Sequence, residues 1–222
     1  MPNVAIIGAS RGIGLEFVRQ YANTGWRVCA TTRTPDQPGE LEKLRGDIRL
    51  HHLDVLSDTH IARFADALTK VPLYVLIHNA GVLKSRGRAS PEETSETMRI
   101  NAEAPITTVS ALIDSVAASD QKKVVVMSSI QALGRPRLSN PDLYGDFKGE
   151  LNKRFRVIEP EWRARGITAI ALHPGYVKTD MTGQHASLTP AESVSGIRSV
   201  LNSLTPAQSG RFLDYRGKEV SW

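Results

Sequence analysis

The sequence predicts an α/β fold, a doubly wound and mainly parallel seven-stranded sheet with helices on both faces. Three observations carry this. Short apolar, β-branched runs alternate with amphipathic helical stretches along the whole chain, as strand-helix-strand units require. The first run passes straight into a glycine-rich turn and then a helix. Several later runs end in small or polar residues, at the carboxyl rim where open parallel sheets gather their ligands.

The elements follow in order. Val4-Ala5-Ile6-Ile7 reads as the first strand and residues 8–14 as a turn with the spacing G-x-x-x-G-x-G. Leu15, Phe17, Val18, Tyr21 and Ala22 then mark one face of a helix that stops at Gly25. Glycines let a backbone turn sharply and come close to a phosphate, and a helix N-terminus offers unpaired N–H groups and the positive end of a dipole. Such a turn can be purely structural; the strand before it and the helix after it favour a dinucleotide site.

A second strand over residues 26–32 ends in Arg33. A carboxylate about 20 residues after the glycines accepts from a ribose 2′-OH, whereas an arginine accommodates a 2′-phosphate. Arg33, with Arg11 inside the turn, therefore favours NADP(H) over NAD(H). The rival reading leaves both arginines solvated and folds Asp36 back to the ribose. Residues 48–53 form a third strand followed by Asp54, which either meets the adenine amino group at the rim or serves as a turn or N-cap residue. His51, His52 and His60 make no metal set, because neighbouring strand residues point to opposite faces; no metal is expected.

A helix over 59–69 leads to a strand over 73–77 and then to His78-Asn79-Ala80-Gly81. One long amphipathic helix is expected over 92–118, carrying Asn101. A fifth strand over 123–127 ends in Ser128-Ser129, and a helix over 141–164 follows. Strand six, 166–173, is broken by Pro174-Gly175, and the chain leaves the sheet through Val177, Thr179 and Asp180. A helix over 190–204 and a strand over 211–214 complete the fold.

Tyr144 and Lys148 stand four apart on the 141–164 helix, so they project from one face. A free tyrosine titrates near pH ~10 and is a poor acid at neutral pH, but a neighbouring ammonium favours the phenolate and lowers that value. Alone, the spacing is common on solvated helices. In the company of Gly8-x3-Gly12-x-Gly14, Asn79-Ala80-Gly81, Asn101, Ser129 and Pro174-Gly175 it resembles the short-chain dehydrogenase/reductase family over essentially the whole chain. The stretch from Pro174 to the end is similar to the C-factor-like carbonyl reductases of that family.

The resemblance implies a Rossmann-type fold and an enzyme that reduces an aldehyde, ketone or quinone to an alcohol with NADPH. Tyr144 would be the general acid/base, and Lys148 would lower its pKa and hold the nicotinamide ribose. Ser129 would orient the substrate oxygen, with Ser128 as the alternative hydroxyl, and Asn101 would support a water-linked proton relay to Lys148. Cofactor contacts are implied for Gly8, Ser10, Arg11, Gly12, Ile13, Gly14, Arg33, Asp54, Val55, Asn79, Ala80, Gly81, Tyr144, Lys148, Pro174, Gly175, Val177 and Thr179. It further implies a homodimer or tetramer built on the 92–118 and 141–164 helices. The alternative function is a dinucleotide-binding signalling or sensor protein that acts through a partner. The loops at 83–91, 133–141 and 181–188 are expected to shape the substrate pocket. Phe147, Gly149 and Ala132 depart from the family's commoner residues, which puts substrate fit and local rigidity in question more than chemistry.

Composition excludes other classes. At 222 residues the chain is sized for one domain, residues 1–222, with 41% hydrophobic and 23% charged residues. No apolar run is long enough to cross a bilayer, and no membrane partner is expected. The net charge of +5 invites a nucleic-acid reading. Acids are interspersed among the basic clusters at Lys84, Arg86 and Arg88, at Arg135 and Arg137, and at Lys153, Arg154 and Arg156, so no nucleic-acid partner is expected. Cys29 is the single cysteine, which suits a buried thiol in a reducing cytoplasm.

Overall fold

The computed structural model describes residues 1–83, 90–134 and 143–222. Lys84, Arg86, Arg88, Arg135 and Arg137, the expected start of the 141–164 helix, and most of the loops at 83–91 and 133–141 lie outside those residues.

The strands are β1 (Asn3–Ile7), β2 (Arg27–Thr32), β3 (Ile48–His52), β4 (Val75–His78), β5 (Lys123–Met127), β6 (Thr168–His173) and β7 (Phe212–Asp214). They form one sheet in the order β3-β2-β1-β4-β5-β6-β7. Each neighbouring pair is parallel, so among the described residues this sheet is wholly rather than mainly parallel. Strand order reverses between β1 and β4, and that switch opens a crevice at their carboxyl ends.

The helices are α1 (Gly12–Asn23), α2 (Asp58–Leu68), α3 (Pro91–Met98), α4 (Ala104–Ala111), α5 (Ile113–Ala117), α6 (Tyr144–Ala164) and α7 (Pro190–Ser203). Alternation along the strands divides the core in two. Val4, Ile6, Val28, Ala30, Val75, Ile77 and Val125 face Phe17, Val18 and Tyr21 of α1 and Val194, Ile197 and Leu201 of α7. Ala5, Ile7, Cys29, Leu76, Val124 and Val126 face Ile61, Phe64 and Leu68 of α2, Val109 of α4, Ile113 of α5 and Phe155 and Trp162 of α6. Both faces of the sheet are covered, which is why its strands read as apolar runs rather than alternating ones. Cys29 is buried as expected, and burial pushes its thiol up to about 11, so it is inert at neutral pH.

α7 starts where its local chemistry dictates. The Thr189 hydroxyl accepts from Glu192 N–H at 3.2 Å, the Glu192 carboxylate accepts from Thr189 N–H at 2.8 Å, and Pro190 takes the first helical position.

The single helix expected over 92–118 is a correction. α3 passes into a π-helical turn at Arg99–Glu103, then α4, and the chain breaks again at Leu112 before α5. Pro105 has no N–H, so it cannot give the α-helical bond to the carbonyl of Asn101 four residues earlier. The register there is π instead, with Ala104 N–H reaching Arg99 O. Asn101 sits at the centre of this turn.

Candidate active site

The glycine turn is fastened from both sides. Gly8 N–H donates to Thr31 Oγ1 of β2 at 3.0 Å, and the Asn79 side-chain amide after β4 donates to Gly8 O at 2.8 Å. Three glycines are needed for different reasons. Gly8 has φ 81°, and a Cβ there would lie 2.7 Å from Ala80 Cα. Gly12 has φ 56° and faces the Thr179 methyl, which a Cβ would approach to 3.2 Å. Gly14 is not left-handed; a Cβ there would overlap the Gly8 carbonyl oxygen.

α1 therefore begins flush against the end of β1, and its first turn is uncapped by any side chain: Arg11 at the N-cap makes no such bond, and no acidic residue occupies the first turn. The N–H groups of Gly12, Ile13 and Gly14 are among those a helix start leaves without intrahelical partners. With the dipole's positive end they suit a phosphate group. Ser10 and Arg11 are exposed on the same turn, and Arg11 pairs with Asp180 at 3.6 Å across the rim. The residues present thus fit the diphosphate of a dinucleotide. Arg33 and Asp36 are both exposed beyond β2. Asp54 Oδ1 accepts from Leu56 N–H at 3.0 Å in the turn after β3, with Val55 half-buried beside it.

Across the crevice, α6 brings Tyr144 and Lys148 together. Lys148 Nζ lies 5.7 Å from the Tyr144 ring centroid and donates to Met127 O, the last carbonyl of β5, at 2.9 Å. Only 2% of Lys148 is exposed, and burial pulls its pKa down to about 8. The same strand end delivers Ser128 and Ser129. Ser128 Oγ donates to Asn152 Oδ1 at 2.6 Å, inside the protein and one turn beyond Lys148 on α6. Ser129 Oγ accepts from Gln131 N–H at 3.2 Å, and a hydroxyl that accepts can still donate its hydrogen.

Gly81 and Asn101 complete the cluster. A Cβ on Gly81 would meet Asn101 Oδ1 at 3.0 Å and Lys148 Nζ at 3.7 Å. The Asn101 side chain, wholly buried, is committed to Val82: it accepts from Val82 N–H at 3.1 Å and donates to Val82 O at 2.8 Å. Pro105, four residues on, has no N–H to give to the Asn101 main-chain carbonyl. His78 is also buried here, and burial followed by the Lys148 charge lowers its pKa to about 3, so it stays neutral.

Pro174, Gly175, Val177 and Thr179 form the outer wall. Ser193 Oγ donates to Pro174 O at 2.7 Å, Gly175 has φ 86° where a Cβ would overlap Leu188, and Val177 bridges to Leu188. Thr179 N–H donates to Thr182 Oγ1 at 3.1 Å, which holds Thr179 over Gly12.

Three residues were not singled out from the sequence as parts of the site. Thr31 anchors the glycine turn, Asn152 occupies Ser128, and Gly145 lets α6 approach the turn that follows Ser129. A Cβ on Gly145 would lie 2.7 Å from Gln131 O, whereas one on Gly149 would lie 3.4 Å from Ala132 O. The available signals were the polar Thr31 at the end of a buried strand and the i+4 spacing of Lys148 and Asn152. Gly149→Ala is therefore expected to be neutral or stabilising by up to ~1 kcal/mol, the helix-propensity gain. Gly145→Ala is expected to cost ~1–3 kcal/mol, because its new methyl meets backbone. Thermal denaturation of the two variants side by side checks this; equal melting temperatures would remove the contact's significance.

Similarity to known proteins agrees with this geometry. A family model described as short chain dehydrogenase matches residues 2–188. The C-signal of Myxococcus xanthus is 34% identical over 163 residues, which cover 72% of this chain and 98% of that protein. Among solved structures, the carbonyl reductase Sniffer of D. melanogaster superposes with a TM-score of 0.90 at 27% identity, covering 100% of both chains. The NADPH-bound carbonyl reductase from chicken fatty liver has a TM-score of 0.89 at 30% identity, covering 100% of this chain and 94% of that one. With the wholly parallel sheet, the uncapped glycine turn and the paired Tyr144 and Lys148, these matches establish that the chain belongs to the short-chain dehydrogenase/reductase family.

Proposed function

We propose that this chain is an NADPH-dependent carbonyl reductase that converts an aldehyde, ketone or quinone to an alcohol, with Tyr144 as general acid. The observation that carries the reading is the burial of Lys148 beneath the Tyr144 ring, at the strand end that also presents Ser129. When bound, NADPH supplies the hydride. Gly12, Ile13 and Gly14 would hold its diphosphate on their N–H groups, Asp54 and Val55 its adenine, and Pro174, Gly175, Val177 and Thr179 its nicotinamide end.

The chain's own residues then manage charge and proton. As the carbonyl carbon is reduced, its oxygen gains alkoxide character, and Ser129 can stabilise that charge with a hydrogen bond. Tyr144 Oη donates the proton. A Lys148 pKa of about 8 leaves the amine mostly protonated at neutral pH, so its charge favours the tyrosinate that results. Asn101, at the π turn beside Gly81 and Lys148, would support a water-linked proton relay to Lys148.

Arg33, at the end of β2, supports NADPH over NADH. Titration of both nucleotides should show an NADPH preference that Arg33→Ala reduces by about tenfold or more, the loss of a charge-assisted phosphate contact. An unchanged preference would move the 2′-phosphate contact elsewhere. A second reading, a nucleotide-binding signalling protein without significant turnover, has the likeness to the C-signal in its favour. Tight NADPH binding with no reduction across a panel of carbonyls would select it.

A further inference from the structure

The turn after β3 is closed by four hydrogen bonds. Asp54 Oδ1 accepts from Leu56 N–H at 3.0 Å, and Asp54 O accepts from Ser57 N–H at 3.0 Å. Ser57 Oγ accepts from His60 N–H at 3.3 Å, and Asp54 N–H donates to His60 Nδ1 at 3.3 Å. The last of these differs in kind. A backbone amide can only donate, so Nδ1 must be the unprotonated ring nitrogen and Nε2 must carry the hydrogen. An imidazolium carries hydrogen on both nitrogens and would face the Asp54 N–H donor to donor.

His60 is also reachable by protons. With His51, His52, Arg63 and Phe64 it lines an open groove along the edge strand of the sheet. Its ring rests against His52, with 4.2 Å between centroids. The titratable or charged groups that face it are His51 and His52 from β3, Asp54 from the turn and Arg63 from its own helix.

We propose that His60 is a positioning residue for the adenine end of the nucleotide: its unprotonated Nδ1 fixes the Asp54-Val55 turn, and protonation releases the turn and weakens binding. The inference rests on the NADP(H) reading above, in which Asp54 and Val55 meet the adenine. His60 itself would touch no nucleotide atom; it acts through the backbone of Asp54. The sign follows from the hydrogen count. Binding is strongest with neutral imidazole and weaker with imidazolium.

Calorimetric titration with NADPH and with 2′,5′-ADP, which carries only the adenosine half, tests this at a higher and a lower pH, about 8 and about 6. The proteins compared are wild type, His60→Leu and His60→Asn, whose Oδ1 can accept the Asp54 N–H at either pH. At the higher pH His60→Leu should bind both ligands about five- to tenfold more weakly, the scale of one lost hydrogen bond, with His60→Asn restoring most of the loss. On acidification wild type should lose more affinity than His60→Asn. The 2′-phosphate titrates in the same range but does so equally in all three proteins, so the difference between proteins is the readout. Equal losses in wild type and His60→Asn, or 2′,5′-ADP binding in His60→Leu as tight as wild type, would overturn the proposal. Failure of wild type to bind either ligand at the higher pH would overturn the NADP(H) reading itself, and this one with it.

Discussion

Replacing Tyr144 with Phe is expected to lower kcat for carbonyl reduction by about 10²–10⁴-fold, the range of a lost general acid, with NADPH affinity little changed. The substitution keeps the ring that packs 5.7 Å from Lys148 Nζ and removes only the hydroxyl. The proton then has to come from water, which is neither placed nor matched in pKa. Steady-state reduction of aldehydes, ketones and quinones, followed by NADPH absorbance, measures the loss. The two serines sharpen the test. Ser129→Ala should cost about 10²-fold in kcat, as for one oxyanion donor. Ser128→Ala should cost mainly stability, ~1 kcal/mol, because the Ser128 hydroxyl is spent inside the protein on Asn152. Full turnover in Tyr144→Phe would end the general-acid assignment, and loss of turnover in Ser128→Ala with activity kept in Ser129→Ala would exchange the two hydroxyls.

Gly14→Ala is expected to destabilise the fold by on the order of 3 kcal/mol, at the upper end of overpacking costs, and to abolish NADPH binding. The reason is contact rather than backbone conformation. Gly14 lies on an ordinary helical path, but the atom its Cβ would strike is the carbonyl oxygen of Gly8, itself held by the Asn79 amide at 2.8 Å. The Gly8 carbonyl is backbone and cannot swing aside as a side-chain end can, so α1 has to lift away from β1. That movement withdraws the helix N-terminus from any phosphate. Gly12→Ala, whose Cβ would meet only a threonine methyl at 3.2 Å, carries left-handed strain of ~1–2 kcal/mol and should be milder. Denaturant midpoints and nucleotide titrations distinguish the two, and a Gly14→Ala midpoint equal to wild type would contradict the close β1–α1 contact.

Much of this architecture was legible in the residues themselves. Apolar runs such as Val124-Val125-Val126 can only be buried on both faces, and helical spacing between them leaves a covered parallel sheet as the solution. The glycine turn announced itself because backbone crowding of that kind excludes a side chain. Tyr144 and Lys148 were readable as a pair because helical periodicity fixes which residues share a face. The helix over 92–118 was not readable as one piece or several from its amphipathic pattern, since that pattern survives a π turn. Pro105 was the local clue, and its effect on Asn101 depends on a hydrogen-bond register that spacing alone does not display.

What the sequence by itself determined is the class of fold, the order of its elements and the chemical inventory at the carboxyl rim. These follow from burial periodicity and from residue types with few alternative uses. What only the tertiary structure decided is the division of labour among like groups. Ser128 turned inward to Asn152 while Ser129 stayed at the rim, Asn79 and Asn101 became braces for backbone, and His60 took hold of Asp54. Hydrogen-bond partners more than a few residues apart are chosen by the packing of whole elements, and a hydroxyl, amide or imidazole read in isolation is compatible with any of them.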